Sequence, residues 1–175
     1  MHIVLGLIGL LVAIGGIAWR INMAMRGAEI VKDAAETAVN LPRKMRFRAK
    51  ANRQRLSSVE DPREAAAVLL LGMARAGGEV TTQHKQTIRT EMERVFEVNA
   101  ATSEELLSRA AWFSANVADP GDLVPRMTDF LARRVGPEEM QTTSTMLSAI
   151  ASVEGEAAHD QSLYLHRFRQ RAGLN

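Results

Sequence analysis

Four histidines, a scatter of serines and acids, and no cysteine are what the chain offers for chemistry. The histidines are His2, His84, His159 and His166. His159 and His166 are seven residues apart on what reads as one helix. They share a face but sit about 10 Å apart, too far to close on one ion. The lack of cysteine removes disulfides, thiolate metal sites and thiol nucleophiles. No serine stands in a nucleophile elbow. Gly77-Gly78 is not a phosphate loop, because no strand precedes it and Lys85 falls at the wrong spacing. These residue types predict a protein that binds and does not catalyse.

The densest cluster of one chemistry is positive. From Arg43 to Arg55 there are seven Lys or Arg and no acid, among them Arg43, Lys44, Arg46, Arg48 and Lys50. Close to a cytoplasmic leaflet each such charge gains about 1 kcal/mol from anionic lipid. An acidic patch, on a partner or on this chain's own folded part, is a second target, and a plain solvated linker is the third reading. No nucleic acid partner is expected, since Phe47 is the one aromatic there for stacking. The positive charge is also confined. Residues 20–55 hold ten Lys or Arg against three acids, a net of +7, whereas residues 56–175 hold twelve against seventeen, a net of −5.

The basic run follows a stretch of the opposite kind. Ile3 to Trp19 is seventeen residues without a charge and ends at Arg20. As a helix it is about 25 Å long, a little short of a hydrocarbon core. Trp19 at the headgroup level and the snorkelling stem of Arg20 make up the difference. A single membrane-spanning anchor is the expectation for residues 1–20. A cleaved signal peptide and a buried core helix compete with it. The first lacks a positive segment ahead of the apolar run, and the second lacks anything apolar enough to surround it. The excess of Lys and Arg after the run places that flank in the cytoplasm, with the N-terminus outside a bacterial inner membrane. Gly9 and Ala13 form a small-xxx-small pair suited to close packing on a partner's membrane helix, the alternative being ordinary glycine tolerance there.

Residues 21–58 read as a helical stalk, kinked or ended by Pro42, leading into the basic linker. Residues 59–175 read as an all-α domain. Asp61-Pro62-Arg63-Glu64 has the pattern of a capping box opening a helix to Ala76, with Ala66, Leu69, Leu70 and Met73 on its inward face. Gly77-Gly78 ends it. A second helix is expected over 82–97, facing inward with Ile88, Met92, Val95 and Phe96. A third is capped at Thr102-Ser103-Glu104-Glu105 and carries Leu106, Leu107, Ala110, Trp112, Phe113 and Val117. The turn Asp119-Pro120-Gly121-Asp122 leads to a fourth over 123–135. A fifth runs from Glu138 to Val153, and a sixth follows Glu154-Gly155 as far as Ala172. No stretch alternates as a strand would.

The chain also repeats itself. Met73-Ala74-Arg75-Ala76-Gly77-Gly78-Glu79-Val80 meets Ile150-Ala151-Ser152-Val153-Glu154-Gly155-Glu156-Ala157 at an offset of 77 residues. Each copy is an apolar helix, a Gly-Glu corner and a new helix, which suggests two hairpins packed about a rough two-fold. At these residues the chain resembles the TerB-like family, small helical domains first associated with tellurite resistance. That family's motif, an apolar helix running into Ala-Asp-Gly-Glu or a close variant, occurs twice. Here Ala76-Gly77-Gly78-Glu79-Val80 and Val153-Glu154-Gly155-Glu156 stand in its places, and the resemblance covers about residues 60–173. It implies paired acidic corners able to take a divalent cation through Glu79, Glu154, Glu156 and Asp160. This chain departs from the pattern at Gly77, where an acid is expected, and at Gln83 or His84, where a second one is. A hard cation needs several oxygen ligands, and acids at helix starts also favour the helix dipole without any metal.

The combined expectation is a single-pass accessory or assembly subunit of a larger membrane protein complex, respiratory by analogy, with that complex and anionic lipid as its partners and no cofactor required. The alternative is a metal-responsive, tellurite or envelope-stress factor acting at the same face.

Overall fold

The computed structural model describes residues 55–174, and these are arranged around one helix. Helix α1 (Pro62–Ala76) is buried at eleven consecutive positions, Glu64 to Ala74. Its sequence explains why. Ala65 to Met73 is apolar all round, and a helix with no polar face belongs inside a protein. Burial thus extends well beyond the face that carries Ala66, Leu69, Leu70 and Met73. The small residues Ala65, Ala66, Ala67 and Gly72 let neighbours come close, while Leu69, Leu70 and Met73 fill the space between them.

The other helices surround α1, and each of them touches it. They are α2 (Thr82–Phe96), α3 (Ala100–Ser114), α4 (Leu123–Ala132), α5 (Pro137–Ala151) and α6 (His159–Ala172). A single 3-10 turn, Pro120–Asp122, precedes α4. Among the described residues there are six α-helices and no strand, so this part of the chain is all-α as its pattern predicts.

Several boundaries have visible causes. Asp61 caps α1 by accepting from Arg63 N at 2.8 Å, and Pro62 occupies the first turn. The reciprocal half of the predicted box is displaced by one residue: Glu64 Oε2 accepts from Glu60 N at 3.4 Å, and its other oxygen pairs with Arg109 at 2.5 Å. Helix α3 starts earlier than expected because Asn99 caps it, accepting from Thr102 N at 2.9 Å. Ser103 is then an interior residue whose hydroxyl donates to Glu93 Oε1 at 2.7 Å.

Trp112 is the exception among the large apolar residues that α3 carries: it is 52% exposed. Successive helical residues turn by about 100°, so a stripe through Ser103, Leu106, Leu107, Ala110 and Phe113 leaves position 112 on the opposite side. A run of apolar letters concealed that phase.

Two close approaches tie α6 to α1. Tyr164 Oη donates to the Leu69 carbonyl at 3.1 Å, and a Cβ on Gly72 would stand 2.4 Å from that oxygen. Burial pushes the Tyr164 phenol well above its ordinary range. Among the described residues no helix is long and apolar enough to cross a membrane. Residues 1–20 and Gly9 and Ala13 within them lie outside the described residues, as do Arg43, Lys44, Arg46, Arg48 and Lys50.

Candidate functional site

The two Gly-Glu corners repeat in backbone as well as in sequence. Gly78 and Gly155, 77 residues apart, both have positive φ, 119° and 111°. Each donates a matching hydrogen bond one turn back, Gly78 N to Arg75 O at 3.1 Å and Gly155 N to Ser152 O at 3.2 Å. The helices that follow, α2 and α6, start at the equivalent residues Thr82 and His159. Only glycine takes this φ without strain, so the two glycines set the direction in which each new helix leaves its corner.

The third residue of each new helix carries the next level of the repeat. His84 and Gln161 are equivalent by the same offset, and both are buried. Both turn back to the N-cap: Thr81 N donates to His84 Nδ1 at 3.3 Å, and Ala158 N donates to Gln161 Oε1 at 3.0 Å. Each then addresses the other corner. Gln161 Nε2 donates to the Met73 carbonyl at 3.4 Å and lies where a side chain on Gly77 would have to go, 2.6 Å from a Cβ built there. His84 Nδ1 lies 3.7 Å from Glu154 Oε1, and the neighbouring Gln83 Nε2 donates to the Val153 carbonyl at 3.5 Å. This reciprocity is what two hairpins related by a rough two-fold produce.

The two junctions differ in chemistry. One is neutral, an amide filling the space above a glycine. The other sets an imidazole against a carboxylate. The acid missing at position 77 also acquires a physical reason, since Gln161 occupies its place.

Glu79, Glu154, Glu156 and Asp160 are all exposed, and of these Glu154 alone has an ion-pairing distance to another described side chain. Among the described residues no three His, Asp or Glu side chains converge closely enough to hold a metal ion, so the four acids named from the resemblance do not form one cluster. His159 and His166 are exposed on α6 and join no such group either.

A second feature was not foreseen. Trp112 and Phe113, edge to face with ring centroids 5.2 Å apart, form one wall of an open groove of about 490 Å³. Glu60, Glu105, Ser58, Ser108 and Arg109 complete it. The Arg55 guanidinium lies over the Trp112 ring at 5.0 Å. At the groove's edge Arg109 is held at 2.5 Å by the buried carboxylate of Glu64, with Glu105 at 3.9 Å. The signal for this surface is the helical phase of Trp112.

Compared with protein-family models, with curated proteins and with solved structures, the chain finds no match.

Proposed function

We propose that the protein is a non-catalytic, membrane-anchored interaction module, an accessory or assembly subunit of a larger membrane protein complex. One observation carries this reading: an uncharged run, Ile3 to Trp19, is followed at once by a strongly basic flank and then by an acidic helical domain. The run is suited to spanning a bilayer, the flank to retention on the cytoplasmic side with anionic lipid beneath it, and the domain to contact with a partner. The exposed Trp112 supports it further, because an aromatic left outside a well-filled core is a common anchor in protein interfaces. Gentle detergent extraction tests the proposal. The full chain is expected to co-purify with a large complex, and Gly9→Leu with Ala13→Leu is expected to release it while leaving it in the membrane fraction. Recovery as a lone, complex-free species from gently solubilised membranes would overturn the assignment.

The second reading follows from the corners. It takes the chain as TerB-like on the sequence of its repeated Gly-Glu corners, which His84 and Gln161 link across the repeat. On that reading the protein is a metal-responsive or envelope-stress factor. Ca²⁺ is then expected to raise thermal stability, and Glu154→Gln with Glu156→Gln to abolish the increase. An identical melting temperature with and without the ion would remove this reading.

A further inference from the structure

We infer that the groove beside Trp112 is a docking site for an arginine-bearing, basic segment of a partner protein. The inference rests on the interaction-module reading and specifies the chemistry of the partner. Three observations lead to it. First, the indole face already accepts a guanidinium, that of Arg55 at 5.0 Å, which shows that the ring is open to a cation on that side. Second, the charges around the groove are complementary to such a segment. Glu60 and Glu105 line it as exposed carboxylates, and buried Glu64 stands behind Arg109. Two exposed carboxylates thus line the groove, and the charge of its one lining guanidinium, Arg109, is already met by buried Glu64. Third, the surface is held rigidly. Trp112 stacks edge-on against buried Phe113, and the Glu64–Arg109 pair fixes the adjoining wall.

Arginine suits this groove better than lysine. Its planar guanidinium lies flat on an indole while its N–H edge donates to carboxylates on either side, whereas an ammonium does one or the other. Arg55 is therefore a resident occupant that an incoming arginine displaces. A contact of this size gives weak, salt-sensitive recognition, suited to guiding a larger docking event begun by the membrane helix.

The test uses the full chain in detergent with Trp19→Phe, so that Trp112 is the sole indole of the two in the sequence. The probe is the peptide Arg-Ser-Arg-Ser-Arg-Ser-Arg, with lysine and glutamine versions as controls. The arginine peptide is expected to change Trp112 fluorescence saturably, to bind about threefold more tightly than the lysine peptide, and to weaken as salt rises. Glu60→Gln with Glu105→Gln is expected to weaken it by about tenfold. Arg55→Ser is expected to tighten it, because the competitor is gone. Glu60 and Glu105 are exposed and Arg55 is half-buried, so an unchanged helical circular dichroism signal and melting temperature separate loss of binding from loss of fold.

The inference is overturned by a flat titration, by equal binding of the glutamine peptide, or by equal affinity in the double Glu variant. It is also overturned if binding appears only once Arg43, Lys44, Arg46, Arg48, Lys50 and Arg53 are all changed to Gln, since the chain's own basic run would then be the occupant. Co-purification with a membrane complex is measured independently of the peptide. A groove that fails in a protein still found in its complex removes this inference alone, and a groove that binds in a protein with no complex removes the subunit assignment instead.

Discussion

Thr128 on α4 has a buried hydroxyl without a hydrogen-bond partner among the described residues. A buried polar atom that makes no bond costs about 1–3 kcal/mol, so removing it at constant shape is favourable. Thr128→Val is accordingly expected to stabilise the protein by about 1 kcal/mol, seen as a higher denaturation midpoint with an unchanged slope. Asp61 shows the opposite situation. The Arg63 side chain, hydrogen-bonded to its carboxylate, holds it below the usual carboxylate range, and partial burial opposes this only in part. A carboxyl depressed in the folded state adds stability above its unfolded pKa of about 3.9 and loses it as pH falls through the lower folded value. Comparing the chain with Asp61→Asn, which keeps a capping side chain and removes the charge, is expected to show a stability difference at pH 7 that vanishes in strong acid. A difference that persists there would assign the effect to cap geometry instead.

The helices make the corners, and the corners make their strongest prediction through Gly77. A methyl group there pushes the Gln161 amide off its bond to the Met73 carbonyl, so Gly77→Ala is expected to destabilise by about 1 kcal/mol. Gln161→Ala removes both the obstacle and the bond to Met73, and in its presence the cost of Gly77→Ala should largely disappear. A double-mutant cycle measures this, and strictly additive free energies would show that the two residues do not share the space. The same elements show how far sequence alone could be read. Helix starts were legible where a cap and a proline coincide, as at Asp61-Pro62, and helix ends were legible at glycine, because both are local steric effects. The burial of α1 on every side follows from its uninterrupted apolar letters, which a search for one periodic stripe does not register. The exposure of Trp112 follows from the 100° phase of its helix, which its residue type does not reveal. The links from His84 and Gln161 to the opposite corners were not legible, since each joins positions 70 or more residues apart and nothing local encodes which corner a side chain meets. Among the described residues Glu79, Glu154, Glu156 and Asp160 form no single cluster, and a motif gives residue types while the distance between them is a property of packing.

At the scale of the molecule, α1 is the shared core of a two-hairpin repeat, so disturbance at its middle is felt by every helix around it. Gly72 is the point where that dependence is sharpest, with Tyr164 on one side and Leu123 on the other. Tyr164 is also the single tyrosine of the chain, and its hydroxyl is sealed against α1. A phenol whose ionisation is suppressed in the folded state withholds its proton until the chain opens, so stability is expected to fall as alkaline pH rises beyond the unfolded pKa of about 10. Near-ultraviolet phenolate absorbance recorded during an alkaline titration should then rise together with the loss of helical circular dichroism, and phenolate appearing while the helices remain intact would contradict it. The protein thus carries an internal gauge of its own integrity: one chromophore, silent while the bundle is closed, that reports opening without any label attached.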